Sequence, residues 1–154
     1  MKAPYRERLS DFPESMGVPA GRAGVRTEKV TFSDDRRARG SRALAEITGE
    51  SGSAVVNSLR DIAPDLADWI VDFSYGDVMA RPGLDLRSRQ FATIAALTAL
   101  GNAQPQLKVH IAGALNVGCK PQEIVEVIMQ MAVFAGFPAA INALTVAREV
   151  FATR

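Results

Sequence analysis

Between Gln90 and Ala147 the chain carries only four charged side chains, Lys108, Lys120, Glu123 and Glu126, together with its single histidine, His110. The same stretch has regular punctuation. Pro105, Pro121 and Pro138 stand where helices would begin, and Gly101, Gly118 and Gly136 where they would end. Proline suits the first turn of a helix, where its missing N–H costs nothing, and glycine suits the position just past the end. The pattern predicts three helices and the start of a fourth. Helices that are apolar on every side must be covered on every side. A 154-residue chain cannot cover several of them by itself, so they are expected to meet copies of themselves. Any polar group left among them needs a reason to be there.

The front of the chain differs. Residues 1–85 hold 26 of the 35 charged residues. Residues 1–32 have scattered charge, Gly and Pro without helical period, and are expected to form an extended N-terminal arm, with 33–154 as one helical domain. Ser33 is placed as the cap of a first helix ending at Gly49, with Asp34 and Asp35 in its first turn. A short helix is expected from about Ser53 to Ile62. Pro64 opens another, through Leu66, Trp69, Ile70 and Phe73 and as far as Met79, before Arg81-Pro82-Gly83 breaks it. Then follow Leu86–Leu100 capped by Asp85, Pro105–Val117, Pro121–Ala135 and Pro138 to about Thr153. No stretch alternates like a strand, so the expected class is all-α with about seven helices.

Several function classes are disfavoured. A net charge of +1 gives no electrostatic case for nucleic acid or an anionic membrane. Val127–Ala147 is long enough to span a bilayer, but Gly136-Phe137-Pro138 divides it into two shorter helices. The opening residues contain no apolar signal-peptide core. Cys119 is alone, which fits a reducing cytoplasm and excludes a Cys-x-x-Cys pair. One histidine and two nearby glutamates make no recognisable metal-ligand set, and no phosphate loop or dinucleotide fingerprint is present.

Chemistry is expected on two helices. On the first, Gln106, His110, Gly113, Ala114 and Val117 share a face, and small residues one turn from a histidine leave room for another helix or for a ligand. Histidine titrates near neutrality, and His110 has few competitors for a proton-transfer role. On the second, Glu126 and Gln130 share a narrow sector with Val133, and Glu123 and Phe134 lie beside it. Arg81, Arg87 and Arg89 cluster where the charged and apolar halves meet. They suit an anionic ligand, or equally salt bridges to Asp77 and Asp85.

With these residues in view, two stretches resemble the carboxymuconolactone decarboxylase family: YGDVMARPGLDLRSRQFATIAALTALG and LKVHIAGALNVGCKPQEIVEVIMQMAVFAGFPAAINA. The ordered series R-P-G-L, R-x-R, H-I-x-x-A-L, E-I-x-E and F-A-G-x-P-A-A carries the resemblance, which runs from Phe73 to Phe151. It implies an orthogonal helical bundle of the alkyl hydroperoxidase D type, assembled as a trimer or hexamer. It also implies a cofactor-independent lyase acting on a small anionic lactone. By the same resemblance His110 and Glu126 become the catalytic candidates, and Arg81, Arg89, Glu123, Gln130 and Phe134 the substrate-binding ones. A peroxidase-like redox protein relying on Cys119, or a non-catalytic binder of a small anion, are the alternatives. Departures from the family pattern are Gln106, where an acidic residue is common, Lys120 in place of a Ser or Thr cap, and Phe134 in place of a frequent Tyr.

Overall fold

The structure is a computed structural model and describes residues 29–32 and 35–154. Thr31–Arg154 forms one compact unit. Seven helices follow one another, with no strand among the described residues. They are α1 (Arg36–Thr48), α2 (Glu50–Ser58), α3 (Pro64–Trp69, continued by a π-helical stretch Ile70–Met79), α4 (Leu86–Leu100), α5 (Gln104–Asn116), α6 (Pro121–Ala135) and α7 (Phe137–Phe151).

The proline and glycine signals act as expected. Pro64, Pro105, Pro121 and Pro138 all lie in first turns. Gly101 ends α4 in the left-handed conformation, at φ 71°. The run from Val127 to Ala147 is divided at Gly136, and no described helix is long and apolar enough to cross a membrane.

Other boundaries move. The helix expected from Ser53 starts at Glu50, directly after Gly49, and ends at Ser58. Ser33 and Asp34 lie outside the described residues, as does most of the expected arm. The cap of α1 is Asp35, whose carboxylate accepts from the backbone N–H groups of Arg37 at 3.4 Å and Ala38 at 3.3 Å. Both bonds are long, so Asp35→Ala is expected to cost toward the low end for a cap, about 0.5–1 kcal/mol. A fall of a few degrees in the melting temperature would show it, and an unchanged melt would deny Asp35 that role.

The single helix expected over 64–79 is α-helical only to Trp69. Beyond that its bonds open to the wider spacing, as in Ala80 N–H to Tyr75 O at 2.9 Å. Two glycines let α1 cross this stretch with backbones almost touching. A Cβ on Gly40 would fall 2.1 Å from the carbonyl oxygen of Val71, and one on Gly76 would fall 2.9 Å from that of Arg36. Ion pairs flank the crossing. Arg37 binds Asp68 at 2.8 Å and Asp72 at 2.7 Å, and Asp77 takes both Arg36 and, at 3.2 Å, Arg39. Arg39 is buried, donates from Nε to Gly76 O at 2.7 Å and lies against the Phe32 ring. Six charged residues, Arg36, Arg37, Arg39, Asp68, Asp72 and Asp77, thus join α1 to α3. Exposed pairs of this kind contribute little each, and the seam gains mainly in geometry.

Two apolar clusters result. Ala43, Leu44, Ile47, Val56, Ala67, Val71 and Tyr75 make one, from α1, α2 and α3. Ile94, Leu107, Ile111, Ala114, Ile124, Ile128, Ala143 and Ala147 are central to the other, from α4 to α7. Helix α5 stands between them. Its Gly113 faces Ile47, whose carbonyl oxygen would lie 3.0 Å from an added Cβ. The small residues below His110 thus make room for a helix.

Not every apolar face among the described residues is covered. Val133 is 79% exposed and Phe134 75%, and Met129 on α6 and Phe137 and Ile141 on α7 are exposed as well. Leu66, Trp69 and Phe73 form a second exposed group on α3.

Candidate active site

A cavity of about 260 Å³ opens between the two halves of the molecule. Helix α5 contributes Pro105, Gln106, Val109 and His110. The opposite wall comes from Leu44 of α1, Gly52, Val55 and Val56 of α2, and Ile70, Ser74 and Tyr75 of the π-helical stretch. It is a mostly apolar pocket with four polar groups, a common form for small-molecule sites. No lysine, arginine, aspartate or glutamate lines it among the described residues.

His110 is its chemical centre. Nδ1 lies 3.0 Å from Oε1 of Gln90, which reaches across from α4. Burial pushes the imidazole below its ordinary value of 6.5, because the charged form loses hydration. Near neutrality the ring is therefore uncharged. Tyr75 is pushed up to about 12 by burial, so its hydroxyl stays protonated. Gln90 is 0% exposed, and its amide nitrogen has no hydrogen-bond partner among the described residues. Such a group costs about 1–3 kcal/mol.

The residues singled out in the sequence separate here. His110 and Gln106 share the cavity; Glu123, Glu126, Gln130 and Phe134 do not line it, nor do Arg81 and Arg89. Glu123 closes the start of α6, accepting from Lys120 N–H at 2.8 Å and from Arg87 Nη2 at 2.8 Å, and these contacts hold its carboxyl below the usual range. Glu126, Gln130 and Phe134 stand exposed on α6. Arg89 donates to the carbonyl oxygens of Leu84 at 3.1 Å and Arg81 at 3.0 Å, tying down the turn after the π-helical stretch. The Arg81 side chain makes no ion pair among the described residues. Asp77 and Asp85, offered as salt-bridge partners of these arginines, are engaged elsewhere: Asp77 with α1, and Asp85 in capping α4 through Ser88. Cys119 is buried outside the cavity, and burial pushes its thiol up, away from the reactive thiolate.

Sequence reasoning missed Gln90, Ser74 and Tyr75. Gln90 carried a signal, as an amide opening a run of apolar residues that must lie inside. The other two lie on the π-helical stretch, and such stretches often mark functional sites.

An all-helical domain with a half-buried histidine at the head of a mostly apolar pocket defines the class. The chain belongs to the carboxymuconolactone decarboxylase family, whose sequence profile matches residues 64–149. It is 34% identical over 119 residues to a 4-carboxymuconolactone decarboxylase of Acinetobacter baylyi, covering 77% of this chain and 88% of that protein. An uncharacterized 15.0 kDa protein of Paracoccus denitrificans is 35% identical over 98 residues, 63% of this chain and 73% of its own length. A nitrosuccinic acid decarboxylase of Metarhizium robertsii is 33% identical over 98 residues, 62% of this chain and 68% of its own length.

Proposed function

We propose that the protein is a cofactor-independent decarboxylase of a small carboxylated lactone such as 4-carboxymuconolactone, with His110 as the proton donor. The observation that carries this reading is the single histidine set in a largely apolar cavity of about 260 Å³ that holds no other group titrating near neutrality. Two relatives bear the names of decarboxylases of small carboxylated molecules, which supports the reaction class.

The steps follow from the chemistry of the substrate. The bond between the ring carbon and its carboxylate breaks, CO2 leaves, and the electron pair enters the unsaturated lactone. The lactone itself is the electron sink. A proton must then reach carbon. His110 in the empty pocket carries no proton to spare, but an anionic substrate beside it favours imidazolium. His110 thus takes up a proton from solvent as the anion binds and passes it to carbon after CO2 leaves. The apolar walls of Val55, Val56, Ile70 and Val109 exclude water and favour loss of charge from the departing carboxylate.

The uncovered faces of α6 and α3 support assembly into a trimer or hexamer, since exposed patches of this kind mark contacts between proteins. In this reading Glu126, Gln130, Phe134 and Arg81 act on the ligand only where a neighbouring copy brings them to the cavity. Cytoplasmic residence belongs to the same reading.

The test is ultraviolet-monitored loss of 4-carboxymuconolactone with CO2 release, followed against pH. His110 must be protonated to donate. Its free-enzyme value lies below 6.5, so kcat/KM is expected to fall as pH rises through that lowered value. In the complex the substrate's charge raises the histidine, and kcat is expected to hold to higher pH. Profiles of kcat and kcat/KM that fall together, at an ordinary histidine value, would sink the proton uptake coupled to substrate binding. Absence of turnover would reject this lactone.

A further inference from the structure

We propose that Gln90 is the positioning residue for His110: its side-chain carbonyl holds the ring as the Nδ1–H tautomer and leaves Nε2 as the nitrogen that exchanges protons in the cavity. The activity half of this inference rests on the proton-transfer reading above; the structural half stands alone.

Histidine free in water prefers its proton on Nε2. A site that needs a bare Nε2 must supply an acceptor to the other nitrogen, since the partner of one ring nitrogen sets the state of the other. Gln90 supplies it, from a different helix, at 3.0 Å and with no solvent access. Its own amide nitrogen is left without a partner. A leucine or methionine of similar size would fill this place without an unpaired donor. The contact with His110 is what accounts for an amide here.

Glutamine also differs from glutamate in a way the site uses. A carboxylate at this distance would fix the same tautomer and hold the ring charged. The amide fixes the tautomer and adds no charge. From α5 the lining beside His110 is Pro105, Gln106 and Val109. From α1 and α2 it is Leu44, Gly52, Val55 and Val56, and from the π-helical stretch Ile70, Ser74 and Tyr75. Tyr75 is the only other titratable group among them, and it remains neutral. The protonation of His110 is thereby left to whatever enters the cavity.

The chain contains one histidine, so the long-range 1H–15N spectrum of the labelled full-length protein reads one imidazole. Above its titration midpoint the wild-type ring is expected to be Nδ1–H. Gln90→Leu is expected to release it to the Nε2–H form or a mixture. Gln90→Glu should keep Nδ1–H and raise the midpoint by about one unit or more, a tenfold or greater gain in proton affinity. A wild-type ring in the Nε2–H form, as would follow from the amide nitrogen donating to Nδ1, overturns the proposal. So does a folded Gln90→Leu protein with tautomer and midpoint unchanged. If the leucine variant fails to fold, the wild-type and glutamate spectra decide. The pH limb of kcat should move upward with Gln90→Glu. A chain that turns over no lactone but gives the expected spectra would reject the reaction and retain the positioning role.

Discussion

Replacing His110 with alanine is expected to lower turnover of the lactone by a factor of about 10²–10⁴ while leaving the fold in place. The magnitude is that of losing a positioned proton donor. The cavity offers no substitute, because Tyr75 is held protonated by burial, and the remaining polar residues, Ser74 and Gln106, do not titrate near neutrality. Alanine is a good helix former, so α5 should persist. The variant enlarges the cavity by the volume of an imidazole ring, which allows a second measurement. Added imidazole should restore part of the rate if His110 moves protons, and none if it serves only in packing. Unchanged turnover by a folded His110→Ala protein would move the chemistry elsewhere.

Gly40→Ala should be among the most damaging single substitutions in the domain, although alanine is the better helix former. Propensity favours the change by about 1 kcal/mol. Against it stands a methyl group 2.1 Å from the carbonyl oxygen and 2.9 Å from the carbonyl carbon of Val71. Both are backbone atoms of a packed helix, and neither can rotate away. Two helices must separate, and the Gly76 contact and the Arg39 hydrogen bond to Gly76 O open with them. A net loss of about 3–5 kcal/mol is expected, in the range of severe core substitutions. For a domain of this size that is about 10 °C or more in melting temperature. Gly83→Ala is the control. Nothing lies within 4 Å of its added Cβ, and its melt should stay close to wild type. A Gly40→Ala protein as stable as that control would show that the crossing is looser than described.

What was legible in the sequence was local. Proline, glycine and capping carboxylates act on their own turn of chain: Pro121 and Gly136 bound α6, and Asp85 and Gly101 bound α4. The wide turns of Ile70–Met79 were not legible, because a helix there meets Gly40, some thirty residues earlier, and no local pattern announces that meeting. The site was legible in part. His110 stood out by type and isolation. Of its surroundings only Gln106 did, because the polar stripe of α6, which follows the same helical period as its apolar face, is the stronger local signal. In the structure that stripe is exposed, and the pocket lies on the other side of α5, against Leu44, Val55, Val56 and Ile70. The charged front half reads as a wrapping segment. Its described residues provide the wall of the cavity opposite α5, and six of its charged side chains hold α1 to α3 within that wall. Gln90 and His110 are twenty positions apart on different helices, so their contact depends on how α4 and α5 pack.

The crossing at Gly40 and Gly76 has a consequence for how such a pocket can change over generations. Side chains are what substitution alters, and most cavity walls drift one residue at a time. The separation of α1 from the π-helical stretch is set by main chain on main chain, and no exchange of residues brings it closer. New substrates would therefore be accommodated at the α2 side, by exchanges at Val55 and Val56, while the Tyr75 side keeps its shape.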